Sequence, residues 1–160
     1  MEPEFVKQGD QTIFRMKVRI NNGVASCFKL VATTAGLQKW FGELEMGELS
    51  ATGYLLFHMT ETEKIKMPIL EFEENAALGF AWDNDAVYFQ FVPLSENETQ
   101  LIFTEEITQV TEHTPRDLAG WTLCLDAFKK AAEGESYTFD KAKFEVLYRE
   151  YQKKLVDAAS

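Results

Sequence analysis

Few side chains in this sequence can do covalent chemistry, and their spacing keeps them apart. His58 falls out of phase with Leu55, Phe57 and Met59, which puts it on the outer face of its strand, and His113 lies in the connection before a long helix. Cys27 and Cys124 are far apart and each sits on a helix face, so they read as two buried thiols. Cys27 with His58 as nucleophile and base has no support in the spacing. No His, Cys and Asp cluster has metal-ligand spacing, and no G-x-S-x-G, phosphate-binding or dinucleotide-binding glycine motif occurs. No metal or cofactor is expected. The one carboxylate with unusual placement is Glu105. It is in phase with Leu101, Phe103 and Ile107, which would aim it inward, where burial would raise its pKa and let it orient a ligand. A bulge at Glu105-Glu106, or burial beside Arg116, would make it unremarkable.

The other chemistry on offer is that of aromatic rings. The chain has 13 Phe, 3 Trp and 5 Tyr but only 4 Pro and 9 Gly. Large rings give extensive contact area at small entropic cost. Phe57, Phe80, Trp82, Phe89, Phe91, Leu101 and Phe103 fall on one face of successive strands, and Trp121, Leu125 and Phe128 fall on one stripe of a helix. These residues would line a concave apolar pocket for a small hydrophobic molecule, or pack on one another as core.

Elements must bring these faces together. Residues 12–20 alternate, with Phe14, Met16, Val18 and Ile20 on one side of a strand. A helix over 24–31 and a second over 35–41, capped by Thr33 or Thr34, come next. Segments near 44–49, 53–60, 63–73, 76–83, 85–93 and 98–109 read as antiparallel strands. Pro68 marks the third of these as an edge or a bulge. Thr114-Pro115 opens a long helix with a capping hydroxyl and a first-turn proline, and Gly134 ends it. A last amphipathic helix over about 140–157 carries Phe144, Leu147, Tyr148, Tyr151 and Leu155 on one side. That stripe either caps the domain's own surface or docks another chain, such as a second copy. Helices segregate from strands, so the class is α+β in one domain spanning 1–160.

Composition narrows the partners. The 160 residues carry a formal net charge of -10, which disfavours nucleic acid and anionic lipid surfaces. The acidic start, Met1-Glu2-Pro3-Glu4-Phe5, does not read as a signal peptide and no apolar run spans a membrane, so a cytoplasmic location is expected.

The segment Val31–Phe41, with Gly36-Leu37-Gln38-Lys39-Trp40-Phe41 at its end, resembles the "T-x-E-G-L-x-x-W-F" motif of the SRPBCC (START-like) superfamily, in the branch of the activator of heat-shock-protein-90 ATPase. Three later stretches resemble that branch in the same order: Ile69–Trp82, Glu98–Glu105, and Ala119-Gly120-Trp121 followed by Leu125 and Phe128. Met46-Gly47-Glu48 stands where the branch usually has Gly-Gly, and the helix after Asp140 extends beyond the common core of about 12–133. The resemblance implies a helix-grip fold, a curved antiparallel sheet wrapped around a long C-terminal helix with a cavity between them. It implies non-enzymatic binding of a lipid-like or aromatic ligand. A co-chaperone role, or hydrolase or cyclase chemistry on a bound substrate, are the alternatives it leaves open.

Overall fold

The structure, a computed structural model, describes residues 2–159 and the side chains up to Val156. Among these residues, eight antiparallel strands form one sheet. They are β1 (Glu4–Gln8), β2 (Gln11–Ile20), β3 (Leu44–Glu48), β4 (Tyr54–His58), β5 (Lys64–Glu73), β6 (Ala77–Trp82), β7 (Asp85–Ser95) and β8 (Glu98–Ile107), in the order β1-β2-β8-β7-β6-β5-β4-β3. Helices α1 (Val24–Ala32) and α2 (Thr34–Leu37) follow β2, and α3 (Thr114–Ala132) and α4 (Lys141–Ala159) close the chain. This is an α+β helix-grip architecture, as the alternation and element order predict.

Strict alternation builds the central strands. On β8, Thr99, Leu101, Phe103, Glu105 and Ile107 are buried while their neighbours are half-exposed. On β2, Phe14, Met16, Val18 and Ile20 are buried, and Lys17 and Arg19 face out. Register shifts at Met46/Glu48, Ile69/Glu71 and Pro93/Ser95 introduce bulges, which bend and twist the sheet around α3. Pro68 is not on an edge: β5 lies between β4 and β6, and the bulge begins just after the proline.

The helices differ in detail from expectation. Thr33 caps α2 by accepting from the Gly36 N–H at 3.0 Å, but the α-helical turns stop at Leu37. At α3 the capping position is His113, and the Thr114 hydroxyl accepts from the Thr111 N–H at 2.9 Å instead, bracing the approach to the helix. Gly134 ends the segment with φ of +74°, a conformation costly for any residue with a Cβ. Asn22 ties the start of α1 to the end of α3 through its side-chain amide, which donates to the Ala132 carbonyl at 2.8 Å.

β1 lies outside the sequence-expected core yet pairs with β2 along its length, through a hairpin whose Gly9 has φ of +62°. It carries Phe5, whose ring meets Phe14 at 5.3 Å and Tyr151 of α4 at 5.8 Å. The α4 stripe caps this surface. Tyr151 and Leu155 are buried, the Tyr151 and Thr122 hydroxyls share a hydrogen bond at 2.9 Å, and the Arg116 guanidinium lies over the Tyr148 ring at 4.9 Å. Asp140 opens α4 by accepting from the Lys143 N–H at 3.0 Å. Among the described residues no helix is long and apolar enough to cross a membrane.

Candidate functional site

Strand alternation on β6, β7 and β8 and the α3 stripe converge on one ring cluster. Phe89 is its hub, with Phe103 at 5.2 Å, Trp121 at 6.0 Å, Phe80 at 6.2 Å and Phe128 at 6.3 Å between centroids. Phe91 reaches Phe128 at 6.2 Å, Trp121 lies 4.9 Å from Phe103, and Leu125 is buried between them on α3. At one end the cluster comes to the surface. Phe57, Trp82 and Phe41 are half-exposed, with Trp82 4.9 Å from Trp121, Phe57 5.6 Å from Trp82 and Phe41 5.5 Å from Trp121. Of the ten sequence-derived site residues, Trp121, Leu125 and Phe128 lie on α3 and the other seven, Glu105 included, lie on the strands.

Within the grip these rings pack directly on one another, some edge to face, as Trp82 on Trp121 and Phe89 on Phe103, and others stacked or tilted, as Phe80 on Phe89 and Phe103 on Trp121. Two concavities lie elsewhere. One of about 460 Å³ runs along the outside of α3 past Trp40, Ala127, Ala131 and Tyr137, and one of about 340 Å³ lies between α3 and the start of α4, beside Leu123, Lys129 and Lys143.

Glu105 is the polar exception in the apolar interior. Its register on β8 runs unbroken between Phe14 of β2 and Val87 of β7, so no bulge turns it out, and Arg116 is engaged with the rings of α4. The residue is 0% exposed, and among the described residues no N–H or basic side chain reaches either carboxyl oxygen. Burial pushes its pKa up to about 11, and the nearby charges of Asp117 and Asp85 push the same way. A side-chain hydrogen bond with the Asp117 carboxylate raises it further, and Glu105 stays a neutral acid at pH 7. Asp117 also accepts from the Trp82 indole N–H at 2.9 Å, and Asp85 accepts from the Thr108 N–H at 2.9 Å. The Trp121 indole N–H is also buried without an acceptor.

Phe14, Trp40, Phe41 and Asp117 belong to this neighbourhood without standing among the residues that the sequence singles out. Trp40 lies 5.7 Å from Phe89 and 5.1 Å from Phe128 and is held by its indole N–H donating to the Leu30 carbonyl at 2.7 Å. The signal for Asp117 is its place one helical turn before Trp121.

The groups with covalent potential stay separate from this site or are blunted. The His58 ring nitrogen lies 2.7 Å from a Glu45 carboxylate oxygen on the β3–β4 ladder. Of the two thiols expected to be buried, Cys27 is buried and Cys124 is only half-buried; desolvation, with Glu43 and Asp117 adding to it, still pushes the Cys124 thiol up to about 12, and desolvation also raises Cys27. Among the described residues no three His, Cys, Asp or Glu side chains group so as to hold a metal ion.

The chain matches no protein-family model and no curated protein sequence. It is similar to solved structures over most of its length. A conserved protein of unknown function, EF2215 from Enterococcus faecalis, superposes with a TM-score of 0.89 at 26% identity, covering 98% of this chain and 91% of that one. CalU16 from Micromonospora echinospora matches with a TM-score of 0.74 at 14% identity, over 95% and 96% of the two chains. The Aha1 dimer from Colwellia psychrerythraea matches with a TM-score of 0.64 at 15% identity, over 76% of this chain and 96% of that one. The last two likenesses concern the fold, and they agree with the helix-grip architecture.

Proposed function

We propose that this chain is one helix-grip domain that binds a small hydrophobic molecule, lipid-like or aromatic, between its sheet and α3, without catalysing a reaction on it. The observation that carries this reading is the ring cluster that reaches the surface at Phe41, Phe57 and Trp82 and encloses a buried acid, Glu105, beside Asp117 with no cation facing it. A domain that needed these residues only as core would be more stable with an apolar side chain at 105. Binding requires the rings at the exposed end to part. The half-exposed Phe41 and Trp82 border solvent on one side, and opening there would break the Trp82–Asp117 hydrogen bond. The absence of an activated nucleophile argues for binding over chemistry: both thiols are raised in pKa, and His58 is engaged with Glu45 away from the rings.

Ligand-detected NMR or native mass spectrometry against a library of lipids and aromatic compounds tests the proposal. At least one binder in the micromolar range is expected, competed by enlarging the interior with Trp121→Ala. A library without a binder would end this reading. A second reading, an interaction module, is favoured by the dimeric state of the Aha1 neighbour. Sedimentation of the purified chain, and a pull-down against the middle domain of heat-shock protein 90, separate the two.

A further inference from the structure

We propose that the ligand carries an organic ammonium group, and that this cation sits on the half-exposed rings of Phe41, Phe57 and Trp82 beside the Asp117 carboxylate. This names the head group of the ligand in the binding reading above and rests on that reading. The three rings lie 5.6–6.1 Å apart between centroids, at interplanar angles of 71–83°. Rings turned nearly at right angles to one another cannot all point their rims the same way, so a group arriving from solvent meets a π face. Such a face is negative and attracts a cation, most strongly at tryptophan. The Trp82 indole N–H donates to Asp117 Oδ1 at 2.9 Å, which fixes a carboxylate at the edge of the same ring.

Charge selects the class of ligand. Four other half-exposed rings are covered by the chain's own cations: Lys66 lies 4.0 Å over Tyr54, Arg116 4.9 Å over Tyr148 and 5.9 Å over Phe144, and Lys154 5.9 Å over Phe5. Among the described residues no Lys or Arg lies over Phe41, Phe57 or Trp82. Acids gather at this end instead. Glu43 follows Phe41 by two residues, Asp83 and Asp85 stand in the turn after Trp82, and Asp117 holds the Trp82 indole. Burial raises the pKa of Asp85, and the charges of Asp117 and Asp83 push the same way, which places these acids in one field. The cations closest in sequence are engaged elsewhere: Lys64 lies 3.8 Å from Glu45, and Lys39 borders the concavity beside Ala131. An anionic head would meet the carboxylates with no facing cation, and a neutral head would leave both them and the ring faces unmatched. Ile65, the ladder partner of Phe57, is 48% exposed and offers the apolar body of the ligand a surface on the same face.

Three probes of one shape and different charge test this at pH 7: benzyltrimethylammonium, its uncharged isostere neopentylbenzene, and phenylmethanesulfonate. Each is titrated into the nitrogen-15 tryptophan-labelled chain, and the side-chain indole signals report both affinity and place. The ammonium probe is expected to bind about fivefold tighter than neopentylbenzene, the preference a ring face gives a cation, to bind tighter than the sulfonate, and to shift Trp82. Asp117→Asn keeps the shape and removes the charge, and should bring the ammonium probe and its isostere within about twofold of each other. If Asp117→Asn does not fold, Phe57→Leu, which removes a ring face at a half-exposed position, serves in its place with the same narrowing expected. Equal or tighter binding of neopentylbenzene by the wild-type chain would overturn the inference and leave the hydrophobic binding site standing. Tightest binding of the sulfonate would overturn it too, as would a preference for the ammonium probe that survives the substitution or shifts Trp40 alone. Failure of every probe to bind would overturn the binding reading as well.

Discussion

Replacing Glu105 by glutamine keeps the shape of the buried group and removes its ionisation, which gives the substitution a defined pH signature. In the unfolded chain the carboxyl releases its proton near its ordinary value of 4.5, whereas in the folded chain burial and Asp117 hold the proton up to about 11. Between those values the folded state binds more protons than the unfolded state. The contribution of this group to stability is therefore complete below pH 4.5 and declines as pH rises toward 11. The slope is about 1.4 kcal/mol per pH unit, so over the roughly 2.5 units up to pH 7 the loss is about 3 kcal/mol. Glutamine suffers no such loss. Urea unfolding followed by circular dichroism at pH 5, 6, 7 and 8 should show the variant gaining on the wild-type chain by about 1.4 kcal/mol per unit. At pH 7 the gap corresponds to a melting temperature higher by about 6–12 °C for a chain of this size. Titrating groups remote from Glu105 are common to both proteins and cancel in the difference, whereas Asp117, which is hydrogen-bonded to Glu105, titrates together with it. A gap that does not change with pH, or a glutamine variant less stable throughout, would refute the reasoning, since either means that the Glu105 carboxylate is solvated or paired.

Three further outcomes follow from the packing. Tyr151→Phe removes the hydroxyl shared with Thr122 and should lower stability by about 1 kcal/mol in the same unfolding assay, with α4 still docked by Leu155. Gly36→Ala should destabilise the α1–α2 corner by more than the Ala-for-Gly helix preference restores, because a Cβ there would collide with the backbone of Lys29 and Leu30; thermal melts read this directly. Neither Cys27 nor Cys124 should be alkylated by iodoacetamide at pH 8 within an hour unless denaturant is added, as mass spectrometry would show, because burial raises both thiols and Cys124 reaches about 12.

The parts of the fold legible in the sequence are those where one periodicity rules a whole segment. β8 alternates without a break, so Leu101, Phe103, Glu105 and Ile107 could be assigned one face from spacing alone. β1 was harder to see because it is an edge strand whose residues are mostly exposed, and its evident apolar contact is Phe5 against Phe14 and Tyr151, the latter from the far end of the chain. The Thr114 cap misled because Thr-Pro is a common helix opening, whereas here Thr111 claims the hydroxyl. For the site, alternation could place Glu105 inward but could not show what faces it. That depends on Arg116 turning to the rings of α4 and on Asp117 of α3 lying beside the Glu105 carboxyl, and both facts come from elements distant in sequence. Whether the rings border a cavity or fill it is likewise decided by centroid distances of 4.9–6.3 Å between strands and helix, which no one-dimensional pattern encodes.

The side-chain indole resonances of Trp40, Trp82 and Trp121 test the central claim most directly. In a chain carrying nitrogen-15 tryptophan and titrated with 2-ethylnaphthalene, the account predicts that the Trp82 and Trp121 signals shift together and saturate, because the ligand enters between β6 and α3, where their rings now touch at 4.9 Å. Signals that stay fixed, or a shift confined to Trp40, which also borders the concavity beside Ala127 and Ala131, would contradict it.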